Sequence, residues 1–369
     1  MLLTIKRETL LNPLLQVTGF IDKKHTMPIL SNVYLAKTAN KITIIGNDME
    51  IQASVTSLSD DMLGEDFAIT LPGKKLQDIL KALPENADIK FEVEENKVLI
   101  KSGRAKFTIQ TLSVEHYPLL KILENSVCEF SLAQGVLKSL ISQIQYAMAE
   151  KDSRVFLNGM FLEIKNGLLN LVATDAHRLS FISHQLNGAI NDCSAIIPKK
   201  SILELYRLLE DSEENVSICI YPNQISFNMP NKELITKVID GKYPDYERVI
   251  PLNNDKLCLI NREELLQTVD RVAVIGIDRL RSIQLKLEDN QLLLSCKNEE
   301  NEESQDQIEI TAPDNINITL NFNISYLRDL LSHASSKELQ FAFYDEQRSV
   351  LATIPNETNF KSVLMPLRS

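Results

Sequence analysis

An apolar pattern of helical period recurs three times along the chain at a nearly constant offset, and this self-similarity limits the fold more than any other feature. The i, i+3, i+4, i+7 spacing occurs at Leu76, Ile79, Leu80 and Leu83, again at Ile202, Leu205, Tyr206 and Leu209, and again at Leu327, Leu330, Leu331 and Ala334. The first members of these sets lie 126 and 125 residues apart. Each set places one apolar stripe on a short amphipathic helix. A second stripe keeps the same order: Leu10, Leu11, Leu14, Leu15; then Val136, Leu137, Leu140, Ile141, Ile144; then Leu265, Leu266, Val269, Val272. A short alternating strand precedes each of these: Leu3-Thr4-Ile5, Phe130-Ser131-Leu132 and Cys258-Leu259-Ile260. Pro13 has no backbone N–H to give, so it is expected in the first turn of its helix or at a kink.

Hairpin-like strand pairs close the repeats, with turn residues at Ser102-Gly103, Pro230-Asn231 and Pro355-Asn356. Tyr117-Pro118 and Tyr243-Pro244 are also 126 apart. Each repeat therefore reads as strand, helix, strands, helix, strands, an α+β unit. Boundaries fall near residues 124 and 252, giving expected domains 1–124, 125–252 and 253–369. No low-complexity linker separates them, so rigid packing is expected.

The net charge is −11, and an acidic average argues against nucleic acid while leaving the local sign open. Cys128, Cys193, Cys219, Cys258 and Cys296 are odd in number and lack a C-x-x-C spacing, which reads as buried thiols in a reducing compartment. Met1 leads directly into a strand-like run with no signal-peptide pattern, and no apolar stretch nears the ~20 residues that span a bilayer. A cytoplasmic protein without membrane contact is expected.

Asp175 and His177 form the most enzyme-like pair, two apart and on one face if extended. No nucleophile elbow, phosphate loop or H-E-x-x-H accompanies them, and His25, His116, His177, His184 and His333 are scattered. Asp48 is the first-repeat counterpart of Asp175 and has no matching histidine, which marks the aspartate as a turn or capping residue. No catalysis, cofactor or metal is expected.

The segments MPILSNVYL (27–35), RVFLNGMFLE (154–163), LVATDAHRLS (171–180), IDGKYPDYERVIP (239–251) and VLMPLR (363–368), in this order on this repeat, resemble the bacterial sliding clamp, the beta subunit of DNA polymerase III. The resemblance covers the whole chain. It implies three repeated DNA-clamp domains, with two chains joined head to tail into a ring, sheets outside and helices lining the hole. It further implies a non-catalytic processivity factor, a homodimer around double-stranded DNA without sequence preference. The replicative polymerase, the clamp loader and other clamp-motif peptides would be its partners.

That architecture carries a charge expectation. Segments 7–25, 73–82, 133–154, 199–209, 262–281 and 325–335 together hold +6, leaving −17 for the rest of the chain. Lysines and arginines facing phosphates would centre the duplex without reading bases. By resemblance the DNA-facing residues are Lys24, Lys74, Lys151, Arg154, Phe156 and Lys199, with Val155 where the family has an aromatic.

The resemblance also implies an apolar pocket for partner peptides. Its positions are Leu157, Thr174, His177, Arg178, Leu179, Pro244, Arg248, Val249, Ser349, Val363, Leu364, Met365, Pro366, Leu367 and Arg368. Apolar side chains would form its walls, while Arg178 and Arg248 would bond peptide carbonyls or acids at the rim. Ala176 stands where the family often has glycine, and Ser369 where a hydrophobic residue is common. The implied dimer contacts are Arg104, Lys106, Phe107 and Ile109 on an outer strand, an apolar pair Val274 and Ile275, and the acidic run Glu299, Glu300, Glu302 and Glu303. The plain alternative for that acidic run is a solvated loop. Beside the enzyme reading, the competing class is a monomeric adaptor that uses the pocket without encircling DNA.

Overall fold

Among the described residues six α-helices form where the apolar stripes predict them: α1 Arg7–Val17, α2 Gly73–Ala82, α3 Gln134–Ser142, α4 Lys199–Leu208, α5 Arg262–Val272 and α6 Ile324–His333. The stripe residues are inside: Leu76 and Leu80, Ile202 and Leu205, and Leu327, Leu330 and Leu331 are each at most 1% exposed. Burying each such side chain contributes roughly 1.5–3 kcal/mol. The computed structural model describes residues 2–21, 27–94, 96–122, 125–275, 282–288 and 290–367. Pro13 lies past the first turn, within α1 and buried, where it leaves one helix hydrogen bond unmade.

A polar feature repeats with the helices. Arg7, at the start of α1, donates through Nε to the Leu80 carbonyl at the end of α2 (2.6 Å). Arg262, at the start of α5, donates to Ser336 and Leu331 carbonyls beside the end of α6 (both 2.7 Å). A cation there satisfies orphan carbonyls and the negative end of the helix dipole. The central repeat has Gln134 at this point, and its backbone N–H bonds the Glu214 carbonyl just as Arg7 bonds Ala87 and Arg262 bonds Lys337.

Among the described residues the strands build four antiparallel sheets. By contacts the chain divides into one unit of residues 1–137 and 203–238 and a second of residues 138–202 and 239–369. The first unit holds a five-stranded sheet in the order Leu63–Gly64, Leu2–Lys6, Asp88–Glu94, Lys97–Ser102, Ala105–Gln110. It also holds an eight-stranded sheet in the order Cys128–Ala133, Asn215–Ile220, Gln224–Met229, Lys232–Lys237, Ile51–Leu58, Lys41–Asn47, Asn32–Thr38, Phe67–Pro72. The second unit holds an eight-stranded sheet in the order Cys193–Pro198, Gly159–Lys165, Leu168–Thr174, Arg178–Gln185, Phe360–Leu364, Val350–Thr353, Glu338–Phe343, Lys256–Asn261. Its other sheet has four strands: Glu303–Glu309, Gln291–Lys297, Ser282–Glu288, Asn317–Asn323.

Compact units and sequence repeats therefore do not coincide. Each eight-stranded sheet joins half of the central repeat to half of a neighbouring one, through Lys232–Lys237 on Ile51–Leu58 and through Phe360–Leu364 on Arg178–Gln185. Backbone pairing across repeat boundaries ties these halves together.

Of the five cysteines, Cys128, Cys219, Cys258 and Cys296 are buried and Cys193 is partly exposed. Burial pushes both Cys258 and Cys296 up to about 11, so at pH 8 neither is a thiolate nucleophile. Brief alkylation of the folded protein at pH 8, mapped by mass spectrometry, should leave both unmodified until denaturant is added. Labelling of either in the native state would contradict this packing.

Candidate functional site

The Asp175 turn is a backbone device. Asp175 Oδ1 accepts the N–H groups of His177 (3.0 Å) and Arg178 (3.1 Å). Asp48 Oδ1 does the same for Glu50 (3.0 Å) and Ile51 (2.9 Å) in the first repeat. Both turns hold a non-glycine residue in the left-handed region, Met49 at φ 73° and Ala176 at φ 72°, a conformation that costs about 1–2 kcal/mol without such support. The side chains then diverge. Met49 packs against the cluster of Ile29, Leu30 and Tyr117, whereas Ala176 is exposed with only a methyl group. Asp175 and His177 thus form a turn, as the sequence comparison with Asp48 indicates. Among the described residues no group of three His, Cys, Asp or Glu side chains is placed to hold a metal.

Arg178 is the polar centre of this region. Nε donates to Asp175 Oδ2 (3.0 Å), one terminal nitrogen to Asp329 Oδ2 (2.6 Å) and the other to the Tyr146 carbonyl (2.7 Å). Its guanidinium lies 4.4 Å from the Tyr326 ring centre and 5.2 Å from that of Tyr146. With its side chain only 9% exposed, Arg178 is not a free rim donor as expected; it ties the 175–178 turn to α6. Beside it the Tyr146 hydroxyl meets Ser180 Oγ (3.3 Å) and Ser362 Oγ (3.2 Å), and burial raises the Tyr146 pKa.

Strand pairing brings some of the expected pocket positions together. Arg178 lies opposite Leu364 and Leu179 opposite Val363. Met365 N–H bonds the His177 carbonyl (3.0 Å), and Thr174 Oγ1 donates to the Arg178 carbonyl (2.6 Å). Leu179 and Val363 pack with Tyr243 and Tyr246 in one buried cluster, and Leu157, Thr174 and Leu364 are buried as well. Around these, His177, Pro244, Arg248, Val249, Met365 and Leu367 are exposed, while Ser349 and Pro366 are partly so. Arg248 is 86% exposed and pairs with Asp245 (2.7 Å), which leaves it able to reach a ligand. Arg368 lies outside the described residues. These positions thus combine buried apolar side chains with exposed apolar and basic ones.

Sequence reasoning missed Tyr146, Tyr326 and Asp329. They come from other helical segments, and no local motif marks them. Tyr243 could have been found, because its Tyr-Pro pair repeats at Tyr117-Pro118.

The positions expected to face DNA divide between the units. Lys74 lines a cavity of about 620 Å³ with Lys75, Gln77, Glu204 and Arg207, and pairs with Asp78 (3.0 Å). Lys151 is exposed at φ 57°, and Lys199 Nζ bonds the Met148 carbonyl (3.3 Å). Arg154 is held by both oxygens of Asp152 (3.0 and 2.9 Å), whose carboxyl the Arg154 hydrogen bond lowers to about 2. Phe156 instead packs half-buried on the Tyr243 cluster. Lys24 lies outside the described residues.

Of the expected interface residues, Lys106, Phe107 and Ile109 occupy the outer strand Ala105–Gln110, and Arg104 the turn before it. Glu303 opens the outer strand Glu303–Glu309, with Glu299, Glu300 and Glu302 exposed in the preceding turn. Val274 is 67% exposed just beyond α5, and Ile275 is partly buried.

Family comparisons agree with this fold. Descriptions of the DNA polymerase III beta subunit match in succession: its N-terminal domain over residues 1–121, its central domain over 131–245 and its C-terminal domain over 247–368. The beta sliding clamp of Pseudomonas aeruginosa is 36% identical over 366 residues, covering 99% of both chains. The crystal structure of the DNA polymerase III subunit beta from that organism superposes with a TM-score of 0.93 at 36% identity over 100% of both chains. A second structure from that organism, a sliding clamp bound to griselimycin, gives 0.94 at 35% identity over 100% of both chains. Fold and repeats together define a DNA clamp, a non-catalytic processivity factor. The chain belongs to the DNA polymerase III beta subunit family, the beta sliding clamps.

Proposed function

We propose that two copies of this chain join head to tail into a closed ring that encircles and slides on duplex DNA. Its three domains are bounded near residues 124 and 252. The observation that carries this reading is the state of the sheet edges. Two junctions between repeats are closed as continuous eight-stranded sheets, while Ala105–Gln110 and Glu303–Glu309 are left as outer strands of smaller sheets. Unpaired edges of this length invite pairing. A heterologous contact between these two edges, repeated once by rotation, closes a ring.

Charge supports the same reading. The helices α2, α3 and α4 hold +2, +1 and +2, and all six together hold +4 in a chain of −11. Such helices would attract phosphates while the remainder repels them, and topology rather than affinity would retain the ring. The border of Pro244, Arg248, Val249, Met365 and Leu367 over its buried floor is the proposed dock for peptides of the replicative polymerase, the clamp loader and other partners. The griselimycin-bound relative supports a ligand site on such clamps.

Retention on plasmid after loading by a clamp loader tests the ring. The protein should remain on circular DNA through a high-salt wash and be lost once the circle is cut. Equal retention on circular and linear DNA, falling with salt alone, would mean an ordinary electrostatic binder and end the ring reading.

A further inference from the structure

We propose that the cavity lined by α1, α2 and α4 binds a free guanine mononucleotide, its base held by Glu204 and Gln16 and its phosphate by Lys74, Lys75 and Arg207. Every lining residue belongs to the first compact unit. The site shares no residue with the proposed peptide dock. It shares Lys74 with the positions expected to face DNA, and the experiment below separates the two roles.

The second unit fills the corresponding space with its own side chains. One-turn helices Thr18–Phe20 and Gln145–Ala147 follow α1 and α3, so Gly19 stands for Tyr146. By the starts of α4 and α6, Glu204 stands for Asp329. By the Asp48 and Asp175 turns, Ile51 stands for Arg178. In the second unit the Tyr146 ring stacks on His333 (4.9 Å between centres) and Arg178 donates to Asp329 (2.6 Å). An aromatic ring and a guanidinium thus serve one carboxylate. In the first unit Gly19 has no ring and Ile51 no charge, yet the carboxylate remains. Glu204 has its side chain only 11% exposed and pairs with Arg207 (2.8 Å), whose side chain is 70% exposed. A Cβ on residue 19 would lie 2.5 Å from Glu204 Oε2, so the carboxylate sits directly against the glycine backbone. The space left is about 620 Å³, the size of a small-molecule site.

What the first unit lacks, a ligand must bring: a flat ring with an edge of N–H donors. Gln16, which lines the cavity, has its Oε1 buried and without a partner among the described residues. A buried oxygen left so is costly, and with Glu204 it makes two acceptors. Guanine carries N1–H and the N2 amino group side by side, a donor edge like that of a guanidinium. Adenine sets the N1 acceptor beside its amino group and would oppose one of these oxygens. Leu15, Ile21, Pro72 and Leu208 supply apolar walls for the ring, and Leu15 is 41% exposed although it belongs to an apolar stripe. Lys74 and Lys75 stand in the first turn of α2, which has no side-chain cap. The helix end and both ammonium groups favour a phosphate there. With Arg207 and Glu204 the lining holds +2 in a chain of −11.

Calorimetric titration of the full chain with guanosine 5′-monophosphate, without DNA or loader, should saturate at one site per chain. Inosine 5′-monophosphate lacks the N2 amino group and guanosine lacks the phosphate; each should bind at least about tenfold more weakly, the effect of one lost charge-assisted hydrogen bond. Glu204→Gln keeps the side-chain shape and should weaken the guanine nucleotide by about tenfold or more for the same reason, with the thermal midpoint reporting that the fold is intact. Gly19→Ala, which displaces the carboxylate, should weaken it as well. The nucleotide series on the unsubstituted chain tests the proposal even if neither variant folds. Absence of saturable binding overturns it, as does undiminished binding by a folded Glu204→Gln chain. Equal competition by inorganic phosphate or by a thymine-only oligonucleotide also overturns it, because the cavity would then be part of a general phosphate-attracting face. None of these outcomes touches the ring, which retention on plasmid tests separately.

Discussion

Val274→Glu combined with Ile275→Glu is expected to turn the proposed dimer into monomers at micromolar concentration, read by analytical ultracentrifugation. Val274 is 67% exposed in one protomer, so the change costs the isolated fold little. The segment follows α5, which packs on the outer strand Glu303–Glu309 and whose Val272 carbonyl accepts from Ser304 Oγ (2.7 Å). The proposed interface on that strand is expected to cover Val274. Burying an uncompensated carboxylate there costs roughly 3–5 kcal/mol, or about 10²–10³-fold or more in Kd. The thermal midpoint of the dilute monomer should stay close to that of the unsubstituted monomer. A dimer that persists would move the interface away from α5.

Arg178→Ala is expected to lower both stability and peptide affinity. The substitution removes three hydrogen bonds and leaves Asp175, Asp329 and the Tyr146 carbonyl without their cation. Breaking a buried pair on one side costs roughly 3–5 kcal/mol; with the Asp329 side chain 38% exposed, water recovers part of this and about 2–4 kcal/mol is the expected loss. Tm should then fall by roughly 5–12 °C. Affinity for a polymerase tail peptide, measured by fluorescence anisotropy, should fall too, because the 175–178 turn and Met365 are held together through this node. Arg178→Lys should not restore either property, since an ammonium lacks the planar fork that reaches three acceptors. Arg248→Ala separates the effects: this 86% exposed side chain should change affinity and leave Tm in place. An unchanged Tm in Arg178→Ala would show that the network contributes nothing.

The helices and hairpins were legible in the sequence because both depend on local periodicity. Six stripes placed six helices, and the turns at Gly103, Asn231 and Asn356 fall where the chain needs a left-handed residue. The role of Asp175 was legible as well, since Asp48 repeats it without the histidine. The buried fate of Arg178 was not, because it depends on Asp329 and Tyr326, about 150 residues away. Phe156 could not be separated from its charged neighbours by sequence, and only the Tyr243 cluster shows which way it packs.

The sequence by itself determined the threefold α+β repeat and the stripes that each helix buries, because a side chain's periodicity follows from the geometry of its own backbone. Tertiary structure alone decided how the repeats share their sheets. Lys232–Lys237 and Phe360–Leu364 have closed partners, whereas Ala105–Gln110, built on the same hairpin, lies at an edge. Strand pairing is a backbone interaction between segments distant in sequence, and the local pattern is the same whether a neighbour is present or not.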